Sequence, residues 1–250
     1  MIELKSKDEI AKMRRAGEIA AKVLAEVASA VKPGIKTKEL DKLAEQLIKS
    51  QGAIALFKGY NGFPASICVS INEEVVHGIP GKREIHEGDI VGIDLGVNYD
   101  GYCSDIATTV MVGEVGAEKK KLVEVTREAL NRAIKICKNG NKIGDVAHAV
   151  QSYVEENGYS VVRALAGHGI GKNMHEDPEV PNYGKPGFGV ELKPGMVIAI
   201  EPMVNMGGYE VMAKNDNWTI VTSDSKPSAH FEHTVAVTEN SALVLTDLTK

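Results

Sequence analysis

The chain has 250 residues, 43% of them apolar, enough for a real core in one compact globular unit. A net charge of −5 leaves no basic footprint for direct nucleic-acid binding. The N-terminus MIELKSKDEI is charged from its third residue, so it reads as neither a secretory leader nor a membrane span, and a cytoplasmic protein is expected. Cys68, Cys103 and Cys137 form no CxxC pair and are expected to be reduced and buried.

Ser6 and Glu9 make a capping-box pattern ahead of Ile10, Met13, Ala16, Ala20, Val23, Leu24 and Val27, a stripe at helical spacing. It predicts a first helix over residues 7–31. Pro33-Gly34 ends it. Thr37 is the expected cap of a second helix, whose stripe of Leu40, Leu43, Leu47 and Ile48 stops at Gly52. Two β-branched runs follow, GDIVGID with Asp94 and SDIATTVMV with Asp105. A third helix over 117–138 carries Leu122, Val125, Leu130, Ala133 and Ile136, with Lys119, Lys120 and Lys121 as a solvated face. Asn139-Gly140 then separates it from a fourth helical stripe, Val146, Val150, Tyr153 and Val154, ending at Gly158. The strand-like GMVIAIE, with Glu201, and FEHTVAVTE, with Glu232, complete the series.

The order repeats. Gly34 to Gly52 and Gly140 to Gly158 each span 18 residues, and Gly88 to Asp94 and Gly195 to Glu201 each span six. Two halves, roughly 6–112 and 117–240, would pack about a pseudo-two-fold axis and bring four carboxylates to the centre of one catalytic domain spanning residues 1–250. Acids are not left unpaired in apolar strands, because desolvating a charge is costly. A dinuclear metal site would supply the partner. Oxygen-rich ligands with a minority of histidine suit Mn²⁺, Fe²⁺, Co²⁺ or Zn²⁺, and such a pair fits hydrolysis.

Seven histidines leave the nitrogen ligand open. His86, in a charged turn, and His148, on a helix, read as surface groups. His230 shares a strand face with Glu232 and His233 faces away, each a ligand or a supporting group. His168 lies in AGHGIGKNMHEDP between glycines that permit close approach of backbone to a substrate. His175 follows seven residues later.

HGIGKNMHEDP, IDLGVNYDGYCSD, AIEPMV and HFEHT, with the pocket segment FKGYNGFPASICVSINEEVVHGIP, give the chain a resemblance to the type I methionine aminopeptidases over nearly its whole length. The resemblance implies an α+β pita-bread fold, a pseudo-two-fold antiparallel sheet backed by helices. It implies Asp94, Asp105, His168, Glu201 and Glu232 as ligands of two divalent metal ions (Co, Mn, Fe or Zn), with Asp105 and Glu232 bridging. A monovalent cation, Na⁺ or K⁺, is implied near Asn72 and Ser228. His77 and His175 match the family's substrate-facing histidines, and Tyr60, Phe63, Cys68 and Trp218 its methionine pocket. Phe57, Asn61 and Met174 depart from common family residues there.

The implied reaction removes the initiator methionine from nascent proteins and peptides with a small second residue. A metal-bridging water attacks the first peptide carbonyl, Glu201 accepts its proton, His175 stabilises the carbonyl oxygen and His77 contacts the peptide nitrogen or leaving group. A monomer is implied, and ribosome docking leaves no visible signal. Xaa-Pro peptidases of the same fold usually carry an extra N-terminal domain, for which a helix starting near residue 7 leaves no room. Type II methionine aminopeptidases carry an insertion that the step of only 26 positions from His175 to Glu201 excludes. Non-catalytic binding proteins of this fold lack several of the five ligands, all present here.

Overall fold

The structure, a computed structural model, describes residues 2–247. Its first helix, α1 (Lys7–Ser29), starts as its sequence dictates: Ser6 Oγ accepts from the Glu9 amide, and the Glu9 carboxylate accepts from the Ser6 amide. This satisfies two donors that the helix geometry leaves orphaned. The second helix, α2 (Thr37–Ser50), corrects an expectation. Lys36, not Thr37, is its cap residue, with the Glu39 carboxylate accepting from the Lys36 amide. Thr37 Oγ1 instead accepts from the Gly81 amide at 2.8 Å and donates to the Gly81 carbonyl, tying the helix to a distant loop.

Strands β1 (Ile54–Ala55), β2 (Cys68–Ile71), β3 (Glu74–Val76), β4 (Ile90–Tyr99) and β5 (Tyr102–Met111) complete the first half. The second half runs α3 (Ala117–Ile136), α4 (Ile143–Glu156), β6 (Ser160–Val161), β7 (Ala166–Gly169), β8 (Glu176–Pro181), β9 (Val197–Ile200) and β10 (Met203–Asn205). It ends with β11 (Val211–Ala213), β12 (Ile220–Thr222), β13 (Ser228–His230), β14 (Glu232–Val237) and β15 (Ala242–Val244). The main sheet follows the order β1-β4-β5-β14-β9-β7-β8, with β2 also on β4 and β15 also on β14, and its pairings are antiparallel.

One face of this sheet carries the helices. Ile19, Val23 and Val27 of α1 and Leu40 and Ile48 of α2 bury against Ile93, Leu95 and Val97 of β4. Leu122, Val125, Val146 and Val150 of α3 and α4 bury against Ile198, Ile200 and Val235. Side chains alternate along a strand, so the other residues of β4, β5, β9 and β14 point away from the helices. The acids of β4, β5 and β14 are among them. In α3, Lys119 departs from the expected solvated face: half-buried, its ammonium donates to Asn72 Oδ1 and the Gly88 carbonyl at 2.9 and 2.8 Å.

Gly17 marks how closely α1 approaches the chain near β15. A Cβ there would sit 2.2 Å from the Leu245 carbonyl oxygen. Alanine normally favours a helix interior over glycine by about 1 kcal/mol, but forced overpacking costs about 1–3 kcal/mol. Gly17→Ala is therefore expected to lower the melting temperature by a few degrees. An unchanged or higher Tm would show that the segment around Leu245 yields freely.

Candidate active site

A two-residue turn sets the geometry. Asp100 (φ 51°) and Gly101 (φ 78°) both take the left-handed conformation that tight hairpin turns require, and they lock Tyr99 opposite Tyr102. Asp94 then faces Ala107, and Gly96 faces Asp105, so both acids project from the face opposite the helices. Across the sheet, Cys68 of β2 pairs with Asp94, Asp94 with Ala107, and Ala107 with Glu232 of β14. His233 pairs with Ile200, which carries the same row on to Glu201, just past the end of β9. Four strands thus deliver Asp94, Asp105, Glu201 and Glu232 to one patch.

Histidines close the patch. His168 on β7 stands with its Nε2 3.7 Å from Glu201 Oε1, and its Nδ1 meets the Gly169 carbonyl at 2.9 Å. That contact fixes Nδ1 as the protonated nitrogen and leaves Nε2 free for the acids. His230 Nε2 lies 3.9 Å from Glu201 Oε2 and 4.0 Å from Glu232 Oε2. His233 turns the other way and bonds Thr246, and His86 and His148 are exposed. The alternation that separated His230 from His233 therefore holds.

Burial dominates the electrostatics. Asp94, Glu201 and Glu232 are pushed well above the usual carboxylate range by desolvation, then by neighbouring charges, Asp105 above all. Asp105 is raised to about 7 by burial. Loss of solvent also lowers His168 to about 4 and His230 to about 3, so both are neutral imidazoles at pH 7.

These groups fit a divalent cation. Asp94 Oδ1, Glu232 Oε1 and His230 Nε2 are buried without a hydrogen-bond partner among the described residues, a condition rare in folded proteins. Asp105, His168 and Glu232 offer ligand atoms that all lie within 4.8 Å of one another. Clustered acids that raise each other's proton affinity are relieved by a cation, and an imidazole held neutral is ready to donate to one.

A cavity of about 330 Å³ opens onto the acids. Its far wall is apolar: Phe63 packs edge-on against Trp218 at 5.1 Å and against Phe57 at 6.5 Å, with Cys68 and Met174 in the same cluster. His77 and His175 both line it, as does Tyr60. His77 adopts φ 60°, a strained conformation for a residue with a Cβ. Met203 and Leu165 also line the cavity and carried no signal in the sequence, since an apolar residue in a strand or loop reads as core. Asn72 lies elsewhere, its backbone carbonyl accepting from the Ser228 amide at 2.8 Å.

The model of metallopeptidase family M24 matches residues 11–239. The chain is 53% identical over 246 residues to methionine aminopeptidase 1 of Bacillus subtilis, covering 98% of this chain and 99% of that one. The chain belongs to the methionine aminopeptidases of family M24. A methionine aminopeptidase structure from Thermotoga maritima superposes with a TM-score of 0.97 at 48% identity, covering 99% and 100% of the two chains. The prolidase of Pyrococcus furiosus gives 0.80 at 28% identity, with 99% of this chain but 66% of that one. The fold is thus the pita-bread fold of M24, and a methionine aminopeptidase of this family requires a divalent metal. Among the described residues no helix is long and apolar enough to cross a membrane.

Proposed function

We propose that the chain, as one catalytic domain, removes the N-terminal methionine from nascent proteins and peptides with a small second residue. Asp94, Asp105, His168, Glu201 and Glu232 would hold two divalent ions. The observation that carries this reading is the meeting of an apolar cavity with a patch of four clustered acids. Methionine's thioether suits a wall of Phe63, Trp218 and Tyr60, each sulfur–aromatic contact contributing roughly 0.3–1.5 kcal/mol. Cys68 fills the floor beside Asp94, where burial keeps its thiol protonated and unreactive.

When bound, the cations make a water acidic and polarise the scissile carbonyl. The protein supplies the rest. Glu201 takes the proton at its carboxylate and returns it to the leaving amine. His175, kept below the usual imidazole range by partial burial, donates from its ring to the carbonyl oxygen as negative charge develops there. His77 contacts the peptide nitrogen. The substrate's free amine lies towards Asp94, and a large second side chain would crowd the acids.

Cobalt, manganese, iron and zinc all suit the donor set, and cellular availability selects among them. A monovalent cation near Asn72 and Ser228 belongs to the same reading, although Lys119 already places an ammonium on Asn72. The enzyme would act in the cytoplasm, as a monomer, on chains leaving the ribosome. Release of free methionine from Met-Ala-Ser, but no cleavage of Ala-Pro peptides, is expected with Mn²⁺ or Co²⁺ and not after chelation. Cleavage at Xaa-Pro would transfer the chain to the prolidase branch of the fold, and inertness in every metal would make it a binding protein.

A further inference from the structure

Tyr60 does more in this site than supply a ring. Its phenolic oxygen lies 2.7 Å from His175 Nδ1, although the two residues are 115 positions apart. The segment that carries it is bent sharply: Gly59, Asn61 and Gly62 have φ of 88°, 47° and 88°. Asn61 pays a steric penalty in that region that glycine does not. Two backbone bonds pin the bend, Tyr60 amide to Phe57 carbonyl at 2.9 Å and Gly59 amide to Phe63 carbonyl at 2.8 Å.

Two rings pack against the imidazole of His175. The Tyr60 ring stands 5.4 Å away at 61°, and the His168 ring 4.3 Å away at 76°. With the ring so placed, what remains open is which nitrogen carries the proton. A neutral imidazole has one donor and one acceptor nitrogen, and the partner of the first decides the role of the second. A phenol can donate to Nδ1, which puts the ring proton on Nε2, or accept from it, which makes Nε2 an acceptor with nothing to offer a carbonyl oxygen.

We propose that Tyr60 is a positioning residue for His175: its hydroxyl donates to Nδ1 and fixes the tautomer whose Nε2–H is offered to the scissile carbonyl. This rests on the role given to His175 above. The ring and the hydroxyl then have separate duties. The ring walls the methionine pocket and affects binding, whereas the hydroxyl acts only through His175 and affects turnover.

Tyr60→Phe separates them. In Zn²⁺-loaded enzyme labelled with ¹⁵N-histidine, the His175 resonances, identified by their loss in His175→Ala, should report a protonated Nε2 and a bare Nδ1. In Tyr60→Phe the proton should divide between the two nitrogens. Turnover of Met-Ala-Ser should fall about 2- to 10-fold, the scale of one neutral hydrogen bond, with KM unchanged and the melting temperature retained. Adding Tyr60→Phe to His175→Ala should slow the enzyme no further. A wild-type proton on Nδ1, a tautomer indifferent to Tyr60→Phe, or an unchanged kcat in Tyr60→Phe while His175→Ala is slow would each overturn the proposal. If His175→Ala turned over normally while Tyr60→Phe still shifted the tautomer, the Tyr60 assignment would stand and the oxyanion role of His175 would fall.

Discussion

Glu201→Gln is expected to lower kcat for Met-Ala-Ser by roughly 10³- to 10⁴-fold, the upper range for loss of a general base. The amide keeps the shape of the side chain and removes both its proton affinity and its negative charge. Glu201 Oε1 and Oε2 lie 3.7 and 3.9 Å from His168 and His230, and the Glu201 carbonyl accepts from Asn182 Nδ2 at 3.0 Å. The backbone anchor survives the substitution. The fold should therefore persist, and the metal-free variant should melt higher than the metal-free parent. Glu201 and Glu232 repel Asp105 in a desolvated patch, and a neutral amide relieves that repulsion. Steady-state kinetics and thermal melts of the chelated proteins test both halves. Near-normal turnover would remove Glu201 from the proton path.

That expectation draws on what the sequence discloses by itself. Equal spacing from Gly88 to Asp94 and from Gly195 to Glu201 marked the two acids as equivalents in separate halves. The fold explains why: both sit in the row that runs across β4, β5 and β14 to the end of β9. Ser6 and Glu9 were readable because a capping box is satisfied within three residues. Thr37 was not, because its partner Gly81 lies 44 positions away and only tertiary structure brings it near. Lys119 failed for the same reason, its oxygen partners coming from the turn around Asn72 and from Gly88.

The candidate site divides along the same line. Charged residues in apolar surroundings announce themselves, since a solvation cost must be offset somewhere. Apolar lining residues such as Met203 and Leu165 have no such cost and are indistinguishable from core. His230 lies between these cases. Alternation placed it on the face of Glu232, but its approach to Glu201 depends on the β9–β14 register. The Tyr60 hydroxyl is the extreme case, a polar atom whose partner no local pattern could reveal.

Removing the metal is expected to invert the dependence of stability on pH. In the folded chain Asp94, Asp105, Glu201 and Glu232 hold protons more tightly than ordinary carboxylates, Asp105 to about 7 and the other three well above their usual range. Between the ordinary values near 4 and these raised ones, the folded state binds more protons than the unfolded state. Stability is then present at low pH and lost as pH rises. His168, at about 4, and His230, at about 3, work in the opposite sense: below the ordinary imidazole value near 6.5 the unfolded state binds more protons, so stability is lost as pH falls. The two effects oppose each other between about pH 4 and 6.5, and above about 6.5 the histidine effect ends while that of the acids continues, joined near pH 9 by the buried thiols of Cys68, Cys103 and Cys137, which burial raises. Chelated protein should accordingly lose Tm as pH rises above about 6.5, at roughly 2–4 °C per kcal/mol. With excess Mn²⁺ or Co²⁺ that loss should vanish or reverse, because the cation binds the deprotonated ligands and its stabilisation grows with pH. A chelated protein whose Tm is flat or rising across this window would show that the four acids ionise independently and do not share one desolvated patch. The crowding that weakens the metal-free chain is the same interaction that draws a cation in, and the sign of the slope reports which of the two is present.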